Sequence, residues 1–204
     1  MKRSFLVVII ILLIVINLFT LIRFYHLKAL LPASKAYSFM QAGDESDERI
    51  TLGLNFTTNI LNSDLQLENI LIKDSLGNTQ SISEIFDEEQ KYLLVCRFSD
   101  LHCESCVNYS IKMMNHWIDS IGPNNVLFLG NYKNNRIFNR VKPLYGIRDL
   151  RTFNTPAFDI PVEELGYPYY FLLDRNLQIV NVFIPDKATP KISNEYLKNI
   201  KTKF

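Results

Sequence analysis

Short apolar runs, bounded by polar turn residues, predict the strands of a sheet. Residues 92–98 are apolar on both faces over most of their length, which is typical of a central strand, and residues 126–129 predict a second buried strand. Residues 67–82 predict a hairpin with its turn at 76–78. A second hairpin is expected over residues 169–183, with its turn at 174–176.

Apolar residues spaced by three and four predict the main helix. They run from Val107 to Ile121 and end at Gly122-Pro123, a typical helix stop. Shorter helices are expected around residues 136–141 and over 193–201, the latter capped by Ser193. Residues 145–164 are otherwise loop-like, and helical turns are expected at 83–86 and 162–165. The resulting order is strand, helix, strand, helix, hairpin and helix, an α/β arrangement.

The N-terminal region carries an uncharged apolar run of 18 residues, Phe5 to Ile22. As a helix it would be roughly 27 Å long, close to the roughly 30 Å hydrocarbon layer of a bilayer. A cleavable signal has an apolar core of only about 7–15 residues, and no small-residue cleavage site follows this run. The run therefore predicts an uncleaved transmembrane anchor, in contact with lipid over residues 5–22.

Flanking charges leave the orientation of this anchor open, because two basic residues stand on each side of it. Only four residues precede the run, so the usual outcome is a signal anchor with the soluble part outside the cytoplasm. We expect residues 1–25 to form the anchor and 26–64 to form a linker and lead-in, with at most a strand within 50–65. Residues 65–204 would then form the globular domain.

Composition excludes several classes of protein. Hydrophobic residues make up 48% of the 204 residues and charged residues 21%, which is enough apolar material for a core and excludes disorder of the whole chain. The formal net charge of +1 gives no electrostatic footprint for nucleic acid. Three cysteines are too few for a disulfide-stapled miniprotein or a four-cysteine zinc site.

Two of the cysteines, Cys103 and Cys106, form a CxxC motif between a buried strand and the main helix. The helix N-terminus favours an anion, so Cys103 is predicted to be the nucleophilic thiolate. Cys106, one turn further on, is within disulfide reach and can resolve a mixed disulfide. Redox chemistry at this pair needs no metal and no other cofactor. Half a zinc site is the first alternative, but its further ligands would have to come from residues without partner spacing: His26, Cys96, His102 and His116. A static disulfide is the second alternative, and it stays open.

Neighbouring residues are candidates for setting the pKa of the nucleophile. His102 can favour the Cys103 thiolate or can be a partly exposed loop residue without such a role. Glu104 acts in the opposite direction, because a nearby carboxylate disfavours a second anion. The sign of the net effect is open. Cys96, inside an apolar strand, is interpreted as a small buried hydrophobic residue.

The order of these elements, with Cys103-Glu104-Ser105-Cys106 and the segment Tyr167-Pro168 leading into a strand, resembles the thioredoxin-like superfamily. It is most similar to the membrane-anchored, TlpA-like thiol-disulfide oxidoreductases, and the resemblance covers residue 65 to the C-terminus. It implies a central mixed sheet flanked by helices, behind a single N-terminal transmembrane helix. It also implies a cis Pro168 beside the active-site disulfide and a Tyr167 backbone that pairs with substrate.

The resemblance further implies cysteine-containing extracytoplasmic proteins as substrates and an electron donor or acceptor in the membrane or periplasm. The protein would then lie in the inner membrane, with its domain facing the periplasm. The sequence departs from the family in lacking Trp before Cys103 and Pro between the cysteines, and Arg97 stands where thioredoxins bury an acid. Two rivals remain: a redox-silent module that holds a partner peptide beside Pro168, and a peroxiredoxin relative, for which Asp100 replaces the expected threonine.

Overall fold

A computed structural model describes residues 43–147 and 151–204. The chain divides into two units, 1–46 and 47–204, and the first lies almost entirely outside the described residues. The predicted span over residues 5–22 lies outside them as well. Within residues 43–147 and 151–204, none of the helices has the length and apolar character needed to cross a membrane.

Seven strands form one mixed sheet in the order β2-β1-β5-β4-β3-β6-β7. Strand β4 pairs in parallel with both β3 and β5, and the other pairs of neighbouring strands are antiparallel. The strands are β1 Leu71–Lys73, β2 Thr79–Ser81, β3 Tyr92–Ser99, β4 Val126–Asn131, β5 Thr152–Asn154, β6 Tyr169–Asp174 and β7 Ile179–Phe183.

Four α-helices and five 3-10 helices complete the described part of the chain. The α-helices are α1 Gly43–Asn62, α2 Glu104–Ile121, α3 Asn135–Val141 and α4 Pro190–Ile200. The 3-10 helices are Ile82–Ile85, Pro123–Asn125, Lys142–Tyr145, Pro161–Leu165 and Lys201–Lys203. A central mixed sheet with flanking helices fits the thioredoxin-like fold that the resemblance implies.

The core lies on both faces of the sheet, because alternate residues of β3 point to opposite sides. Leu94, Cys96 and Phe98 pack with apolar residues of α2 and α4. Leu93 and Val95 pack on the other face, against the segments around Ile82 and Phe158. This double burial explains why β3 is apolar over most of its length.

The two hairpins, the central strand and the main helix are confirmed, but the loop expected over residues 145–164 is corrected in part. It contains β5, which pairs in parallel with β4. This strand is only three residues long, and polar contacts hold its end: the Asn154 side chain accepts a hydrogen bond from the Tyr132 N–H and donates one to the Tyr132 carbonyl. Such a short strand gives almost no hydrophobic pattern.

Residues 50–65, expected to hold at most a strand, instead contain most of helix α1. Its buried stripe is polar and consists of Thr51, Asn55, Thr58 and Asn62. The Asn55 amide donates to the Ile184 carbonyl and accepts from the Ile184 N–H, and Asn59 accepts from the Val182 N–H. Helix α1 thus satisfies the open edge of β7 with side-chain amides. The hydrophobic pattern missed it because the apolar residues lie on the outside.

The outward side of α1 exposes large apolar side chains. Phe56 is 69% exposed, and the other members are Ile50, Leu52, Leu54, Ile60 and Leu61. The final helix differs from expectation in its start, since α4 begins at Pro190 rather than at a Ser193 cap. Proline favours the first helical turn because it has no N–H to leave unpaired. Ser193 is instead fully buried inside the helix.

Candidate functional site

The CxxC motif lies at the junction between the end of β3 and the start of α2. Strand β3 ends at Ser99, and Cys103 is the residue that caps α2. The backbone carbonyl of Cys103 accepts the N–H groups of both Cys106 and Val107 at 3.0 Å. The Cys103 side chain therefore stands at the positive end of an 18-residue helix, where an anion is stabilised.

The two thiols have different surroundings and opposite pKa shifts. Cys103 is exposed and Cys106 is partly buried, and both are free thiols. Hydrogen bonds from the side chains of Cys106 and Ser105 lower the pKa of the Cys103 thiol to about 7. Burial, followed by the hydrogen bond with Cys103, raises the pKa of the Cys106 thiol. At neutral pH the accessible Cys103 is therefore near half ionisation, and Cys106 is protonated.

Ser105 and Lys187 complete the polar surroundings of Cys103. The Ser105 hydroxyl lies 3.2 Å from the Cys103 sulfur. The Lys187 ammonium, in the loop between β7 and α4, donates to the same hydroxyl at 2.8 Å. The Lys187 charge also acts to lower the pKa of Cys106.

His102, one of the two residues expected to modulate the thiols, is bonded to the backbone at the end of β3. The His102 Nδ1 accepts the Ser99 N–H at 3.2 Å. Burial, aided by the charge of Arg97, lowers the pKa of His102 to about 4 in spite of the nearby Asp100 carboxylate. His102 is thus neutral at pH 7 and provides no positive charge for the thiolate. Burial, and to a smaller extent the charge of Glu104, raises the pKa of Tyr145.

Arg97 stands where thioredoxins bury an acid. Its side chain is 1% exposed, and its guanidinium is hydrogen-bonded to several acceptors. Its guanidinium donates to the Glu163 carboxylate at 2.6 Å, to the Thr155 hydroxyl at 2.6 Å and to the Pro156 carbonyl at 2.8 Å. It also lies 4.1 Å from the centre of the Phe158 ring. Arg97 therefore fixes the segment before β6. Cys96 is fully buried, and burial raises its pKa.

The predicted substrate-binding residues are Tyr167 and Pro168. They lie at the same end of the central strands as the CxxC loop. The β3–β6 pairing ends with Arg97 opposite Tyr169, so the two preceding residues lie beside the end of β3. Tyr167 is 46% exposed and Pro168 is buried. All peptide bonds of residues 43–147 and 151–204 are trans, which corrects the cis bond expected at Pro168. The trans form is favoured by about 0.5–1 kcal/mol at X-Pro bonds.

A cavity of about 410 Å³ lies beside these residues. His102 and Gly166, which directly precede Cys103 and Tyr167, both line it. Its further walls come from Leu101, Phe158, Asp159 and Glu164. In the described part of the chain, no three His, Cys, Asp or Glu side chains converge as metal ligands.

Sequence reasoning missed Ser105 as a partner of Cys103 and missed Lys187 altogether. Ser105 lies inside the motif, so the first contact has a local signal. Lys187 lies 82 residues further along the chain, and no spacing rule connects it with the motif. Only the fold brings the loop after β7 to the start of α2.

No family model matches the sequence, and no curated protein matches it. Solved structures with a similar chain course include a thioredoxin-like protein from Porphyromonas gingivalis, with a TM-score of 0.48 and 14% identity over 70% of this chain and 95% of that one. A thiol:disulfide interchange protein from Bacteroides sp. has a TM-score of 0.45 and 15% identity, over 68% of this chain and 91% of that one. A SCO1/SenC family lipoprotein from Bacillus anthracis str. Ames has a TM-score of 0.49 and 10% identity, over 68% of this chain and 95% of that one.

Proposed function

We propose that this protein is a membrane-anchored thiol-disulfide oxidoreductase that exchanges disulfides with extracytoplasmic proteins through Cys103 and Cys106. The observation that carries the proposal is the contrast between the two thiols. Cys103 is exposed with a pKa of about 7, whereas Cys106 is less accessible with a raised pKa. A nucleophile near half ionisation at neutral pH, next to a protected second thiol, is the arrangement that disulfide exchange requires.

In the proposed cycle the Cys103 thiolate attacks one sulfur of a substrate disulfide. An S–S bond forms between Cys103 and the substrate, and the second substrate sulfur leaves as a thiolate that takes up a proton. Cys106 then loses its proton and attacks the Cys103 sulfur. The substrate is released as a dithiol. The two electrons that reduce it come from Cys103 and Cys106, which are oxidised to a disulfide. The reverse sequence oxidises a substrate.

Substrate contact is proposed at the edge formed by Tyr167 and Pro168, next to the cavity lined by His102 and Gly166. An extended substrate segment that pairs with the Tyr167 backbone would direct its cysteine towards Cys103. Redox partners in the membrane or periplasm, and an inner-membrane location with anchoring through residues 5–22, belong to the same proposal. The chemistry requires no metal and no cofactor beyond the disulfide itself.

The test is a trapping experiment in the native membrane. Cys106→Ser keeps the nucleophile and removes the resolving thiol, so mixed disulfides with substrates are expected to accumulate. Cys103→Ser is the matched control, because it also leaves one thiol in the motif but removes the nucleophile. Non-reducing electrophoresis and mass spectrometry identify the captured proteins. A folded, membrane-bound Cys106→Ser protein without mixed disulfides would favour the redox-silent peptide-binding module.

A further inference from the structure

Lys187, which lies outside the CxxC segment, is linked to the reactive thiol through the Ser105 hydroxyl. Its ammonium lies 2.8 Å from the Ser105 hydroxyl, and that hydroxyl lies 3.2 Å from the Cys103 sulfur. We propose that Lys187, acting through Ser105, is a positioning residue that stabilises the Cys103 thiolate and makes the reduced form of the pair more stable. This inference rests on the proposed function, because it assigns a control on the same site.

The loop that carries Lys187 is held by helix α1 and by a hydrogen bond within the loop. The Asp186 carboxylate accepts a hydrogen bond from the Thr51 hydroxyl at 3.2 Å and one from the Ala188 N–H at 2.9 Å. Thr189, which is buried, lies with its hydroxyl 3.3 Å from that of Thr51. Helix α1 therefore holds the loop, so that less backbone entropy is lost when Lys187 meets Ser105.

Acidic residues lie close to the motif along the chain, and the nearby Arg97 cation is paired with Glu163. Asp100 and Glu104 flank the cysteine segment, and Asp186 precedes Lys187 in the loop. His102 is uncharged at pH 7, since its pKa is about 4. Lys187 places a positive charge next to the pair, and this charge favours the thiolate of Cys106 as well.

The order of the contacts explains how the lysine acts. When Lys187 donates to the Ser105 oxygen, the serine hydroxyl proton is free to point at the Cys103 sulfur. The serine then donates to the thiolate, and a hydrogen bond to the charged form lowers the pKa of a thiol. Polarisation along the chain strengthens the second bond. Without the lysine, the same hydroxyl can point elsewhere.

The consequence for exchange follows from which state is stabilised. The dithiol form contains the Cys103 thiolate, and the disulfide form does not. Stabilising the thiolate therefore moves the equilibrium of the pair towards the reduced form, so that its disulfide becomes a stronger oxidant. The same change keeps Cys103 ionised, and hence reactive, at a lower pH.

The first measurement is the pH profile of Cys103 alkylation by iodoacetamide, a neutral reagent, in the reduced full-length protein in detergent. Lys187→Met is expected to raise the midpoint, so that the rate at pH 6 falls about three- to tenfold. Lys187→Arg keeps the charge and should restore most of the rate. Lys191→Met is the matched control, because it removes an exposed lysine from the neighbouring helix with the same change in net charge.

The second measurement is the equilibrium of the pair with glutathione at pH 8. There Lys187→Met should shift the equilibrium towards the Cys103–Cys106 disulfide by about three- to fivefold. Ser105→Ala should change the alkylation rate at least as much as Lys187→Met does. Adding Lys187→Met to Ser105→Ala should then change little further, because the two groups act in series.

An unchanged alkylation profile in Lys187→Met would overturn the inference, and so would an equal shift in Lys191→Met. Additive effects of the two substitutions would contradict an action through Ser105. Failure of the proposed function is a separate outcome. In that case the wild-type protein shows no reversible equilibrium with glutathione, whereas the alkylation profiles still report on Lys187.

Discussion

Glu163 is the partner whose loss would leave the buried Arg97 charge unpaired. Its carboxylate accepts the Arg97 guanidinium at 2.6 Å, the Phe158 N–H at 2.8 Å and the Tyr169 hydroxyl at 3.2 Å. Glu163→Gln keeps the shape of the side chain and one acceptor oxygen but removes the negative charge. Arg97 would then retain only neutral acceptors, the Thr155 hydroxyl and the Pro156 carbonyl.

The expected cost follows from the burial of the pair. Removing one member of a buried ion pair destabilises by about 3–5 kcal/mol, because the other charge remains in a medium of low dielectric. Glu163 is 17% exposed and glutamine still accepts a hydrogen bond, so the lower value of about 3 kcal/mol applies. For a domain of this size that corresponds to a fall in Tm of roughly 6–12 °C.

Urea unfolding of the full-length chain in detergent measures this cost, with the fluorescence of the single tryptophan, Trp117, as the signal. Glu164→Gln, an exposed neighbour with the same chemical change, should cost less than about 0.5 kcal/mol. Adding Arg97→Met to Glu163→Gln should recover part of the lost stability, because no buried charge is left. A cost of Glu163→Gln below about 1 kcal/mol, or a further loss in the double variant, would refute the reasoning.

Gly130→Ala should cost about 1–3 kcal/mol in thermal unfolding, because its new methyl group would lie 2.2 Å from a carbon of the Phe138 ring; a stability within 0.5 kcal/mol of wild type would contradict this close packing. The folded-state pKa of His102, about 4, lies below the ordinary value of 6.5, so the unfolded chain takes up this proton first. Stability should therefore fall by roughly 1–2 kcal/mol, allowing for partial exposure, as the pH drops from 6.5 to 4, and His102→Asn should flatten that part of the curve; an equally steep curve would disprove the assignment. Iodoacetamide at pH 6 should label Cys103 before Cys106, with a midpoint near pH 7 for Cys103; preferential labelling of Cys106 would reverse their proposed roles.

The sequence predicted an element correctly where apolar side chains mark its buried face. Helix α2 could be placed because its apolar residues recur every three or four positions and Gly122 ends it. The same pattern located the CxxC motif at the helix start, which follows from local geometry alone. Strand β3 was recognisable because both of its faces are buried.

The remaining parts depend on contacts between distant segments. Helix α1 buries asparagine and threonine while exposing phenylalanine and isoleucine, so its apolar residues do not mark a buried face. The contact between Lys187 and Ser105 joins two ordinary surface residues that have no signal of their own. The Arg97 pair was visible only as an unexpected charge within an apolar strand. Glu163, 66 residues later, gives it a partner only in the folded chain.

The asparagine contacts of α1 also determine how this domain can be cut from its chain. An exposed edge strand pairs readily with the edge of another molecule, and proteins cover such edges to avoid aggregation. Here the side chains of Asn55 and Asn59 occupy the backbone groups of Val182 and Ile184 that a neighbouring molecule would otherwise bind. A fragment that starts at residue 65 would uncover this edge and invite edge-to-edge association, whereas one that starts at residue 47 would keep it closed.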